Sequence, residues 1–130
     1  MKFAYTILYV SDVAASLTFF ENTFGFPQRF LHESGAYGEL DTGATTLAFA
    51  SHDLGAMNLP SGYIAADHSA KPLGMEVAFV TTDLAAAHAK ALANGATEIK
   101  APEEKPWGQS VSYVRCPNGI LVELCTAVGG

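Results

Sequence analysis

Tyr5-Thr-Ile-Leu-Tyr-Val-Ser-Asp12 and Glu76-Val-Ala-Phe-Val-Thr-Thr-Asp83 are two versions of one phrase, offset by 71 positions. Each is an apolar run of strand character that ends at an aspartate, and each aspartate opens a stretch of helical periodicity. A repeat of this length means a duplicated structural unit, so it sets the architecture before any other signal is weighed.

Outward from the first copy, Lys2–Val10 is expected to be a strand, with Ser11 or Asp12 as the N-cap of the helix that follows. Val13, Leu17, Phe20 and Phe24 form that helix's apolar stripe and Gly25 its stop. Three short strands follow, Pro27–Glu33, Ala36–Asp41 and Thr45–Ser51, punctuated by Ser34-Gly35 and Thr42-Gly43. The second copy offers Met75–Thr82 as strand and Asp83 as cap. Leu84, Ala87, Ala91 and Leu92 are its buried helical face, and Asn94-Gly95 its stop, with His88 at the position of Leu17. Thr97–Lys100, Gln109–Arg115 and Ile120–Thr126 are its three further strands, the last two joined across Pro117-Asn118-Gly119. The reading is thus an α+β chain of two βαβββ units, about 1–52 and 74–128, in one domain. Residues 53–73, rich in Gly, Pro, Ala and Ser and without clear periodicity, read as a long connection, of the kind that forms a lid or cleft wall.

Composition bounds the function. The 130 residues, 49% hydrophobic and 15% charged, are enough for one compact domain with a real core. No apolar run approaches the roughly 20 residues that span a bilayer, and Met1-Lys2-Phe3 leads straight into a strand. A cytoplasmic protein with no membrane partner is expected. A net charge of −6, with five lysines and two arginines scattered singly, supplies no basic stripe for nucleic acid. Cys116 and Cys125 flank a turn, and in such a chain they are expected to be reduced core residues.

The paired βαβββ units, with their Ser-Asp and Thr-Asp strand ends, resemble the vicinal oxygen chelate superfamily, that of glyoxalase I, the bleomycin-resistance proteins and the extradiol dioxygenases. The likeness is most specific in Val10-Ser11-Asp12 with Phe19-Phe20 and Phe24-Gly25-Phe26, in Lys105-Pro106-Trp107-Gly108-Gln109, and in the run from Tyr113 through Pro117-Asn118-Gly119 to Glu123. It implies that the units curl as mixed sheets around a cleft, within one chain or between two chains of a homodimer. It also implies where a metal would be held, by side chains on the first and last strands of each unit. Those positions fall on Tyr5, Glu76, Glu123, and Leu47 or Ala48.

That set is incomplete, because neither Leu47 nor Ala48 can offer a lone pair and a neutral tyrosine is a poor ligand. No metal is therefore expected, and the iron triad of an extradiol dioxygenase has no histidine on either first strand. His32, His52, His68 and His88 all lie off the family's ligand positions. The exception kept open is His52 or His68 completing a site with Glu76 and Glu123.

Glu76 and Glu123 stand out as acids inside apolar strands. Turned into a cleft together they would repel, raise at least one pKa, and suit proton transfer or a cationic ligand. Tyr5, Trp107, Phe49 and Tyr113 are the aromatic residues expected to line the ligand with them, while Phe19, Phe20, Phe24, Phe30 and Phe79 are expected in the core. The expected function is metal-independent binding of a small aromatic or amphipathic molecule, as in sequestration by a bleomycin-resistance protein. The alternative is a glyoxalase-like lyase or isomerase in which Glu123 and Glu76 are the acids and a divalent metal assists.

Overall fold

The computed structural model describes residues 1–129. The chain divides into two compact units, Met1–His68 and Ser69–Gly130, each built on a four-stranded mixed sheet with a helix on one face.

In the first unit β1 (Tyr5–Val10) leads into α1 (Val13–Phe24), then β2 (Gln28–Leu31), β3 (Tyr37–Leu40), β4 (Thr46–Ser51) and a short α2 (His52–Asn58). The sheet order is β1-β4-β3-β2, with β1 parallel to β4 and the other pairs antiparallel. The second unit repeats the plan with β5 (Val77–Val80), α3 (Leu84–Ala93), β6 (Thr97–Glu104), β7 (Ser110–Arg115) and β8 (Leu121–Cys125), ordered β5-β8-β7-β6.

The aspartates that announced the repeat do the capping. Asp12 accepts from the Ala15 amide at 3.0 Å and Asp83 from the Ala86 amide at 3.1 Å, each satisfying an amide that has no partner within its helix. Gly25 ends α1 at φ 82°, a left-handed conformation that a Cβ would oppose. Ser11, the other capping candidate, donates instead to Asp67.

Strand alternation then divides each sheet into a helix face and an open face. In the first unit Val13, Leu17 and Phe20 of α1 meet Leu40, Leu47 and Phe49, and the Phe20 and Phe49 rings lie edge to face with centroids 4.9 Å apart. In the second, Val114, Val122 and Leu124 are buried with Leu84 and Ala91.

The structure corrects the reading at several points. Leu92 is 36% exposed, and His88 takes the buried place on α3 that Leu17 holds on α1. Its imidazole is satisfied on both sides, by Ser112 Oγ at 2.9 Å and Glu98 Oε2 at 2.8 Å. Phe30 is exposed on its edge strand. Residues 53–73 are not structureless: α2 opens them, capped by Ser51 Oγ on the Leu54 amide at 3.2 Å. β6 runs four residues past Lys100, through Pro102, because the outer side of an edge strand needs no amide donor. β5 is shorter than expected and leaves Glu76 immediately before it. Cys116 and Cys125 are both free and buried.

Replacing His88 with leucine is expected to cost about 1–3 kcal/mol, because the fully buried Ser112 hydroxyl is left without its partner. Urea denaturation measures the loss. Adding Ser112→Ala to the leucine variant should restore part of it.

Candidate functional site

The open face of the second unit carries the polar cluster. Register places Ala78 opposite Glu123 and Tyr113 opposite Glu123, so Glu76, Ala78, Tyr113, Glu123 and Cys125 share the face turned away from α3. The Tyr113 hydroxyl donates to Glu123 Oε1 at 2.9 Å. That bond, then burial and the charges of Glu123 and Glu76, push the phenol up to about 12, so it stays a donor at physiological pH.

The Glu76 carboxyl is influenced by Glu123. Partial burial, followed by the charge of Glu123 and a hydrogen-bonding contribution from it, holds the Glu76 carboxyl above its ordinary value. Burial and the neighbouring Glu123 charge also raise the Cys125 thiol, and burial alone takes Cys116 to about 12, so neither is an activated nucleophile.

The raised Glu76 carboxyl sets the sign of a pH effect. The folded chain holds this proton to higher pH than the unfolded chain does, so stability is lost as pH rises from the ordinary value of 4.5 through the raised one. In Glu76→Gln that loss should disappear. The expected result is a thermal midpoint that, relative to wild type, gains most at neutral pH and least in acid, followed by circular dichroism melts across the range.

On the first unit, Tyr5 shares the open face with Thr46, Ala48 and Glu39, whereas Leu47 lies on the helix face. The fourth position of the ligand set is therefore Ala48. Glu39, 8% exposed, sits beside it on β3, where its Oε2 accepts from Tyr37 at 2.7 Å and its Oε1 lies 3.7 Å from Arg29. By register Glu39 occupies the place of Tyr113, and Ala48 the place of Glu123. Both open faces thus carry a tyrosine–glutamate pair, with the acid one strand over in the first unit. Sequence reading missed Glu39 because it was tied to the family's first and last strands; an acid between Gly38 and Leu40 in a short apolar strand was the available signal.

Of the remaining expected site residues, Phe49 is corrected to core: it is fully buried against Phe20, on the face opposite Tyr5. Trp107 is 63% exposed in the β6–β7 turn, and its indole donates to Gln109 Oε1 at 2.9 Å. Gln109 in turn donates to the Thr126 carbonyl at 3.0 Å, which ties the turn to the end of β8. His52 has both ring nitrogens engaged within its own unit, by Tyr63 at 2.7 Å and Asp67 at 2.9 Å, and has no lone pair left for a metal. His68 is exposed and lies 3.8 Å from Asp67.

A divalent metal of the kind the fold family uses needs several convergent donors. Here Glu123 already accepts from Tyr113, and the Ala48 side chain offers no lone pair. Among the described residues no group of three or more His, Cys, Asp or Glu is placed to hold a metal ion. The residues do not fit that group.

Twin βαβββ units, each with a polar pair on the face its helix leaves open, define a glyoxalase-fold protein. A family model described as the Glyoxalase/Bleomycin resistance protein/Dioxygenase superfamily matches residues 2–124, and the chain belongs to that superfamily. Among solved structures it is similar to a glyoxalase/bleomycin resistance protein/dioxygenase family enzyme from Burkholderia phytofirmans PsJN, at 22% identity, covering 97% of this chain and 98% of that one with a TM-score of 0.82. It is also similar to a glyoxalase-related enzyme from Fulvimarina pelagi, at 20% identity over 95% and 86% of the two chains, TM-score 0.80. A protein of unknown function from Agrobacterium tumefaciens str. C58 follows at 23% identity, 98% and 94% coverage, TM-score 0.76. At such identities the likeness carries the fold and not the activity. A search of curated proteins found no significant match. No helix among the described residues is long and apolar enough to cross a membrane.

Proposed function

We propose that this chain binds, without a metal, a small aromatic or amphipathic molecule bearing a positive charge or a hydrogen-bond donor, in the manner of a sequestering bleomycin-resistance protein and as a homodimer. The observation that carries the reading is the pair of acids, Glu76 and Glu123, on the open face of the second unit, with Tyr113 hydrogen-bonded to Glu123 beside them. Two acids forced together are relieved by a cation, which removes their repulsion and accepts both sets of lone pairs. Tyr113 supplies a flat apolar surface beside them, and an ammonium over such a ring gains further. The incomplete donor set for a metal points the same way.

The same pair favours a second reading. A carboxyl with a raised pKa next to a second acid can move a proton, so a lyase or isomerase using Glu123 and Glu76 is the alternative.

Trp107 is the chain's one tryptophan, so its fluorescence reports unmixed on the turn tied to β8. Titration with benzylamine-type cations in the presence of a chelator should change that fluorescence and raise the melting temperature, while benzoate-type anions should do neither. Equal binding of anions overturns the reading. So does near-stoichiometric metal in the purified protein, or a melting temperature that climbs with nickel, zinc, manganese or iron; either result directs attention to lyase chemistry. Sedimentation equilibrium tests the dimer.

A further inference from the structure

The first unit holds a second arrangement with chemical content on the same face as its tyrosine–glutamate pair: Tyr9, on which Tyr63 stacks, stands opposite Ala50, as Tyr37 does on the other side. α2 and the segment behind it line an open pocket of about 300 Å³, at the small end for a ligand site. Its walls are largely apolar, from Ala56, Leu59, Pro60 and Ala65; His68 also lines it, and the rest of its polar edge is His52 and Tyr63.

Those two residues belong to a line of hydrogen bonds. Ser11 donates to Asp67 Oδ2, His52 Nε2 lies 2.9 Å from Asp67 Oδ1, and the Tyr63 hydroxyl lies 2.7 Å from His52 Nδ1. Burial works to raise the Asp67 carboxyl, but the bonds from Ser11 and His52 and the nearby His52 and His68 rings outweigh it and hold it below its ordinary value. The Asp67 carboxylate can only accept, so the hydrogen of its bond with His52 sits on Nε2. Nδ1 is then the acceptor, and the Tyr63 O–H points to it. A hydroxyl held against a base that is itself oriented by a carboxylate is the geometry of an acid–base relay. The surrounding groups are Tyr9, stacked on Tyr63 with centroids 5.0 Å apart, Asp53 on α2, and His68, whose ring lies 5.6 Å from that of His52.

We infer that this pocket is a binding site for a small planar molecule with a weakly acidic O–H, a phenol or an enol, and that Tyr63, His52 and Asp67 take up its proton. Having given its own hydrogen to His52, the Tyr63 oxygen presents lone pairs to a ligand O–H. On transfer the ligand O–H bond breaks as a new O–H forms on Tyr63. The former Tyr63 O–H breaks as an N–H forms on His52 Nδ1, leaving a bound ligand anion and an imidazolium beside Asp67. Tyr63 gains one proton as it loses another and never ionises, which burial and the charges of Tyr9, Asp67 and Asp53 would oppose. The apolar walls accept the ring.

Gly55 shows how closely the phenol is placed. A Cβ there would stand 2.5 Å from Tyr63 Oη and 2.8 Å from its Cε1, so Gly55→Ala must displace the ring and break the relay without altering any of its groups.

The probe is 4-nitrophenol, whose phenolate absorbs apart from the neutral form, mixed with the full chain at a pH where the free probe is protonated. The phenolate band should grow with protein concentration. Tyr63→Phe, His52→Gln and Gly55→Ala should each weaken the effect about tenfold or more, and Ala56→Trp should block it by filling the pocket from an exposed helix position while the relay stays intact. Glu123→Gln should leave it unchanged, which keeps this site separate from the one proposed above. Melting curves establish that each variant is folded. No phenolate band with the wild-type chain overturns the inference, as does a band that survives in folded Tyr63→Phe and Ala56→Trp, or one abolished by Glu123→Gln.

Discussion

Phe49→Ala should cost about 3–5 kcal/mol of folding stability, the range for truncating a fully buried phenylalanine. The ring meets Phe20 edge to face, with centroids 4.9 Å apart, in the layer between α1 and β4. Against a typical domain stability of about 5–15 kcal/mol, this is a large fraction of the whole. Guanidinium or urea denaturation at 25 °C measures it directly. Trp107→Ala supplies the contrast, since an exposed turn residue removed from the surface should change stability by no more than about 0.5 kcal/mol. A Phe49 variant that lost less than about 1 kcal/mol would contradict its place in the core.

Glu123→Gln should weaken binding of an aromatic cation about 10- to 100-fold, the worth of a charge-assisted hydrogen bond of roughly 1.5–3 kcal/mol. The change keeps the side chain's shape while removing its charge, so the strand and its register with β7 should survive. Calorimetric titration with a benzylamine-type cation gives the affinity. A second consequence needs no ligand: without the carboxylate as acceptor, Tyr113 should ionise nearer its ordinary value of 10.0 than the value of about 12 it now has. Ultraviolet titration against a Tyr113→Phe control resolves it. An unchanged affinity beside a shifted tyrosine would separate the proposed function from the geometry and remove only the former.

The sequence made the fold legible because the repeat, the two capping aspartates and the alternating strands all agree on one architecture. It said less about α2, since seven residues interrupted by Gly55 offer too few turns for a period to show; Ser51 and Asp53 were the only terminus signals. It extended the wrong residue onto the buried stripe of α3. Leu92 is the apolar choice, but His88 is the one whose two ring nitrogens find partners in Ser112 and Glu98, and pairing across 10 and 24 positions is invisible to local pattern. The site divided in the same way. Glu76 and Glu123 were legible as acids out of character in apolar strands, whereas Phe49 and Ala48 differ by one position and so by one face, which only the register decides. The line from Ser11 through Asp67 and His52 to Tyr63 joins residues up to 56 apart, and no spacing rule would have assembled it.

β6 has one more thing to say. All eight of its residues are exposed and one side of it has no strand beside it, which is the condition under which chains add to one another in solution and grow into fibres. Its composition works against that outcome. Pro102 removes a donor, the register shift between Lys100 and Glu103 spoils the flatness a stacked copy would need, and charges at Glu98, Lys100, Glu103 and Glu104 would meet their own kind in parallel pairing. This strand is built against growth by edge-to-edge addition of further copies.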